Sequence, residues 1–441
     1  LPDNRRCRKL AAMKAVYIPF FLFLILVHFS FAGDWSQWRG DNRNGVTHGE
    51  KALANLPAKP RTLWQVPVGK GQGGLIIAGG KIVMLHETMV GGKPMETAVV
   101  IDARNGKTIW ETPYAESWQY TNVYGPGPRV APMIDGDLVF AQGVMGVLAC
   151  ISLTDGKLLW SKSYSKDFGA KWFGGNAPGS SGTAASRHGN NGPPATDDKY
   201  IYAAAGGHNG ASLVCLEKRT GKLVWKSGND YAAYAGLMVG ELAKVKQVVM
   251  VTAANMKGYR AKDGRELWSV PVKTGAARNI LTPILSGDTV TVASHTVGTF
   301  QVRISNSGNG QKAEEVWRNK DVRTNITTPV LMDGFLYGLG TSRGKNSVFV
   351  CLSHKTGKVQ WEQRGYTDYA SVIAFGDQLL IHGSRGALTL LKATPEKYTV
   401  LGRVEKASQI SWNYPVYSGG VLYVKDGLKD GGNKLTALKL Q

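Results

Sequence analysis

The residues of this 441-residue chain whose types could do chemistry are four cysteines, a few histidines at strand ends and two glycine-rich turns. Cys150, Cys215 and Cys351 each stand ten residues before a tryptophan, at Trp160, Trp225 and Trp361. Side chains at equivalent positions of separate repeats point the same way without meeting, so the thiols read as small buried hydrophobes rather than as disulfide partners. His86, His295 and His382 fall near strand ends at different offsets from their turns, so they build no symmetric metal ring. GKGQGG (69–74) and GGHNG (206–210) lead into no helix, and the backbone cradle of a phosphate loop needs one. The chain has neither a G-x-S-x-G nucleophile elbow nor a C-x-x-C-H haem attachment site.

The cysteine positions are set by a repeat, and repeats change what every residue means. CISLTDGKLLW ends at Trp160, CLEKRTGKLVW at Trp225 and CLSHKTGKVQW at Trp361. Each reads as an apolar strand, a tight turn holding Gly, and a second strand closing on Trp. IDARNGKTIW, GYRAKDGRELW and GNGQKAEEVW add Trp110, Trp268 and Trp317, and RTLWQVPV adds Trp64 without a turn before it. Seven of the twelve Trp residues thus share one repeat position, which makes them structural anchors, and ATPEKYTVLGRV puts Leu401 at the eighth. Steps between the Trp anchors run 46, 50, 65, 43, 49 and 44 residues. A front half of each module, such as APMIDGDLVFAQG or TPVLMDGFLYGLG, supplies two further strands around a Gly turn. Four short strands per module predict a propeller blade. The last segment, NKLTALKLQ, is a third strand lacking a fourth, while RTLWQVPV is a fourth lacking the rest. The expectation is an all-β, eight-bladed propeller over 61–441, its ends sharing one blade, with an arm at 33–60 and a long loop insertion at 165–194.

The strand, T-G-K turn and Trp resemble the repeat of the pyrroloquinoline-quinone-like (PQQ-like) propellers, a superfamily that includes quinoprotein alcohol dehydrogenases and the BamB outer-membrane assembly factor. DWSQWRGDNRNG, GPGPRVAPMIDGD and TPVLMDGFLYG look in particular like exported members from planctomycete-type bacteria. The resemblance implies an envelope binding or scaffold module, a PQQ-dependent dehydrogenase of alcohols or sugars, or a BamB-like assembly factor. The dehydrogenases typically hold the quinone against a disulfide of adjacent Cys, with calcium bound by Glu, Asn and Asp. No vicinal Cys pair occurs here, so PQQ with calcium stands as a group to test rather than one expected.

Propeller topology says where a site would lie, because the loops entering each first strand open onto one face around the central channel. Those loops bring Arg129 from 117–129, His188 and Asn191 from 173–194, Tyr234 from 229–236, and Arg278 and Asn279 from 275–283. Arg323 and Asn325 come from 323–329, Tyr369 from 365–371, and Trp412 and Asn413 from 408–415. Three Arg and several aromatics on one funnel would suit an anionic or sugar-like ligand, or a quinone bearing carboxylates. The same residues could equally brace loop backbones. The insertion at 165–194, rich in Gly, Ser and Asn, could form a lid over the channel. Trp35 and Trp38 in the arm are expected to pack against the disc.

The chain carries a net charge of +21, of which +17 falls to residues 33–441. Part of this is one turn residue counted repeatedly: Lys107, Lys157, Lys222, Arg265 and Lys358 all follow a turn Gly. Such basicity favours anionic surfaces, so an envelope protein or an anionic glycan or lipid surface could be a partner, while a simply solvated basic face is the stronger expectation. Nucleic acid is not expected, as no binding motif is present. Met13-Lys14, the apolar run from Ala15 to Phe29 and Ser30-Phe31-Ala32 read as a cleavable secretory signal, with residues 1–12 as upstream sequence. The run is too short to predict a membrane span and no Cys follows the cleavage point, so a periplasmic or secreted monomer is expected.

Overall fold

A computed structural model describes residues 33–119, 125–170, 188–207, 209–274, 277–308, 310–324, 326–341, 347–367 and 369–441. Its strands form eight four-stranded antiparallel sheets. Seven use strands consecutive in the chain, and the eighth pairs Arg61–Pro67 with Lys434–Lys439, followed by Val421–Lys425 and Val416–Ser418. The fold is an all-β, eight-bladed propeller closed by its two ends, as the repeat predicted. We number the blades from the one that opens at Leu75–Ala78, so the shared blade is the eighth.

Within a blade the middle strands are buried and the outermost is half exposed. In blade 6, Phe335–Thr341 and Ser347–Ser353 pack between neighbours, while Val359–Tyr366 alternates toward solvent. Each anchor Trp lies across its third strand: Cys150 opposes Trp160, Cys215 opposes Trp225 and Cys351 opposes Trp361. All three thiols are buried and free, as their positions implied, and burial pushes each pKa up to about 12.

The indole reaches into the next blade. Trp160 Nε1 donates to Lys218 O at 2.8 Å, and its ring lies over Gly221, where a Cβ would sit 2.7 Å from the ring. Trp64, Trp110, Trp225, Trp317 and Trp361 make the same kind of bond to Ala103, Leu153, Ala261, His354 and Thr394. The turn Gly therefore serves twice, supplying a positive φ (67° at Gly221) and a bare surface for the ring. Trp268 is the exception, donating to Gln247 Oε1 in its own blade at 2.8 Å. The blade after it turns through the long hairpin Gly298–Ser307 and Gly310–Asn319, which has no T-G-K turn to receive a ring.

Blade 7 corrects the sequence reading. In every blade a bulge falls just before the anchor position, as between Cys150 and Ile151. In blade 7 Leu390 opposes Gly402 and Leu391 opposes Val400, so the bulged residue is Leu401 and the anchor position is Gly402. Leu56 of the arm packs there, its Cβ 2.6 Å from where a Gly402 Cβ would stand. The arm, not a side chain of the blade, covers this site.

Residues 33–60 do more than pack on the disc: they plug the channel from the face of the first hairpin turns. Trp35 bridges to Ile77 in blade 1, and Ile134 N in blade 2 donates to Ser36 O at 2.7 Å. Arg43 Nη1 donates to Pro194 O at 2.7 Å, Trp38 Nε1 to Thr282 Oγ1 at 3.2 Å and Arg39 Nη2 to Pro329 O at 2.6 Å. Val46 bridges to Ala374 in blade 7, and Glu50 accepts from Gly419 N in blade 8. The two guanidinium groups are buried against carbonyls, with no ion pair to either among those of the described residues. Burial, then the neighbouring Arg39, pushes Arg43 down to about 9. Of the insertion, Tyr164–Phe168 is a short helix capped by Ser163 and Gly169, and 188–194 runs into blade 3. The remainder expected as a lid, 171–187, lies outside the described residues.

Candidate functional site

Every blade contributes to the channel mouth through the segment entering its first strand. Gln72 and Gly74 serve blade 1, Arg129 and Ala131 blade 2, His188, Asn191 and Pro193 blade 3, and Tyr234 and Gly236 blade 4. Arg278 and Thr282 serve blade 5, Ile326, Thr327 and Thr328 blade 6, Tyr369 blade 7, and Trp412, Asn413 and Tyr414 blade 8. With Trp38 of the arm they enclose a cavity of about 190 Å³.

The chemistry is unevenly distributed around this ring. Arg129, His188, Asn191, Tyr234 and Arg278 occupy the arc from blade 2 to blade 5. Opposite them, Tyr369 and Trp412 stack with ring centroids 4.2 Å apart and planes 27° from parallel. Trp38 meets Tyr414 edge-on at 4.7 Å and closes the bottom. Among the described residues, no Asp or Glu lines the cavity.

A buried polar framework holds the cationic arc. Arg129 donates from Nη1 to His188 O at 3.0 Å and from Nη2 to Gly125 O at 2.9 Å. Gln142 Nε2 donates to Asn190 O and Gly192 O at 3.0 and 3.1 Å, fixing the segment that carries His188 and Asn191. Tyr164, from the short helix, donates to Gln142 Oε1 at 2.6 Å. Behind them the wholly buried Glu96 accepts from Tyr114 OH at 3.0 Å and Val144 N at 3.2 Å. Desolvation pushes its carboxyl up to about 8, against the pull of those donors and of Arg129. Glu96 is therefore protonated at neutral pH and does not cancel the Arg129 charge.

On the aromatic side, His382 hydrogen-bonds Ser408 Oγ at 2.9 Å, and burial pushes its ring down to about 4, so it is neutral. Lys425, fully buried, donates to Gly71 O beneath the loop that carries Gln72, and burial pushes it down to about 8.

Eight of the eleven residues expected at the mouth line this cavity: Arg129, His188, Asn191, Tyr234, Arg278, Tyr369, Trp412 and Asn413. Asn279 does not. It is buried, its Nδ2 donates to Thr252 O and Val272 O at 2.9 Å, and its carbonyl accepts from Tyr234 N, so it braces the loop that presents Tyr234. Arg323 is exposed and donates to Lys320 O. Asn325 and Asp368 lie outside the described residues. Sequence reasoning missed Trp38, Gln72 and Tyr414 as lining. The first stands outside the repeat, and the others occupy repeat positions whose neighbours looked more distinctive.

Residues 94–363 match the family described as outer membrane protein assembly factor BamB. The chain belongs to this family. No curated protein matches the sequence. Among solved structures, the quinohemoprotein alcohol dehydrogenase ADHIIG of Pseudomonas putida HK5 is 11% identical with a TM-score of 0.61, over 93% of this chain and 80% of that one. The computationally designed Ika8 protein is 12% identical with a TM-score of 0.58, over 85% and 99%. BamB from Moraxella catarrhalis is 12% identical over 86% and 100%, with a TM-score of 0.40. For the first two of these structures the likeness is one of fold.

The described residues at the mouth do not fit a calcium-held quinone. Calcium takes six to eight oxygen ligands, carboxylates prominent among them. The described lining offers cations, hydroxyls and the amides of Gln72, Asn191 and Asn413 but no carboxylate, and no cluster of three or more His, Cys, Asp or Glu among the described residues could hold a metal. The three described thiols lie in three different blades.

Proposed function

We propose that this chain is an exported propeller of the cell envelope that acts as a binding module, taking a small ligand at the channel mouth opposite the plug. The observation that carries the reading is the convergence of all eight blades on one cavity, closed below by Trp38, whose described lining holds no Asp or Glu. A pocket lined largely by apolar and aromatic groups, with a few convergent polar ones, is what small-molecule sites look like. Export is supported by the signal-like segment 13–32, and no helix of the described residues is long and apolar enough to cross a membrane. The dehydrogenase reading is disfavoured by the donor set. A BamB-like assembly role draws on family membership alone.

Saturation-transfer NMR tests the binding reading, using the full chain and a mixture of neutral sugars, sugar acids and organic acids. Transfer to at least one compound is expected, unchanged by a calcium chelator and abolished by Trp412→Ala. Transfer that needs calcium, or none to any compound, contradicts it.

A further inference from the structure

The cavity divides its chemistry by side, and that division selects a ligand. Arg129 and Arg278 enter blades 2 and 5, so two cations flank the arc that also holds His188, Asn191 and Tyr234. The facing wall is the stacked pair Tyr369 and Trp412, and the base is the Trp38 indole. Between them lie hydroxyl and amide groups of Gln72, Thr327, Ser371, Ser411 and Asn413. A ligand matched to all three regions has a ring with an apolar face, several hydroxyls and one negative charge.

Size narrows this further. At about 190 Å³ the cavity lies below the roughly 300–1,000 Å³ of pockets for drug-sized ligands, and a single six-membered ring fits within it. Aromatic walls complement the C–H face of a pyranose, while planar guanidinium groups match a carboxylate in bidentate geometry.

We propose that the channel mouth binds a hexuronate, a pyranose carrying one carboxylate, with the ring against Tyr369 and Trp412 and the carboxylate toward the Arg129–Arg278 arc. The assignment rests on the ligand-binding reading above and names its substrate class. The sugar acid could be free or stand at the end of a chain emerging from the funnel. Both present the same chemistry.

Isothermal titration of the full chain with D-glucuronate, D-glucose, benzoate and a glucuronate-terminated disaccharide tests it. One glucuronate per chain is expected, bound at least tenfold more tightly than glucose or benzoate and weakened by added salt. Arg278→Gln should cost glucuronate tenfold or more while leaving the melting temperature near that of the parent, and Arg278→Lys should restore part of the loss. If the Gln variant does not fold, the ranking of the four compounds on the unaltered chain still decides. A disaccharide bound more tightly than the monosaccharide supports a chain end, and one bound more weakly supports the free sugar. Glucose binding as well as glucuronate overturns the role of the arc. Benzoate binding as well as glucuronate overturns sugar recognition, yet leaves the binding reading intact. No binding by any of the four overturns the hexuronate assignment, and the broader NMR mixture then shows separately whether the cavity takes another ligand.

Discussion

Trp160 and Glu96 sit at opposite ends of what a sequence can disclose about single residues. Trp160 was legible because its position recurs seven times, and its Nε1 bond to Lys218 O gives the recurrence a cause. Trp160→Phe keeps most of the apolar area but leaves that carbonyl short of a donor, so unfolding by denaturant should lose about 1–3 kcal/mol. A variant as stable as the parent would mean the indole bond contributes nothing. Glu96 looks like any strand Glu in KPMETAVV, and only the fold reveals that it is buried behind the arc. Its pKa is raised by burial to about 8 from an ordinary 4.5, so the native state holds a proton that the unfolded chain releases. Stability from this group is full below about 4.5 and is lost as pH rises through about 8. Glu96→Gln should therefore flatten the fall in melting temperature between those values, and an unchanged pH profile would show that Glu96 is ionised in the native protein.

At the scale of the element, the T-G-K turn was readable as a hairpin, but not as a seat for the preceding blade's indole. Two glycines with the same backbone requirement separate these roles. Gly221 (φ 67°) lies under Trp160, whereas Gly79 (φ 55°) has open space where a Cβ would go. Gly221→Ala should destabilise by roughly 1–3 kcal/mol more than Gly79→Ala, the excess being overpacking against the ring. Equal losses would reduce the turn Gly to its φ. Blade 7 shows why the anchor was misplaced by one residue there. Without a Trp to align on, Leu401 looks like the natural substitute, and only the bulge between Leu390 and Leu391 assigns the position to Gly402. Strand register is a pairing property, and a single strand does not contain it.

Over the whole molecule, closure of the ring was legible because a lone third strand and a lone fourth strand complement each other. The path of the arm was not. Nothing in DWSQWRGDNRNG says that Arg39 and Arg43 find proline carbonyls on separate blades, or that Trp38 becomes the base of the cavity. The plug therefore couples stability to binding. Trp38→Ala should lower stability by about 1–3 kcal/mol, the indole being half-buried, and weaken any ligand of the channel mouth, since it removes the bottom of the site. Loss of stability with ligand affinity unchanged would place the site elsewhere. The central claim is that the channel mouth is a binding pocket without a calcium-held quinone. Its most direct test is a titration of the full chain with pyrroloquinoline quinone and calcium, followed by Trp fluorescence, with dye reduction over simple alcohols and aldoses on the same sample. The expected result is no calcium-dependent saturation and no dye turnover. Saturable one-to-one quenching that requires calcium, accompanied by dye reduction, would contradict it.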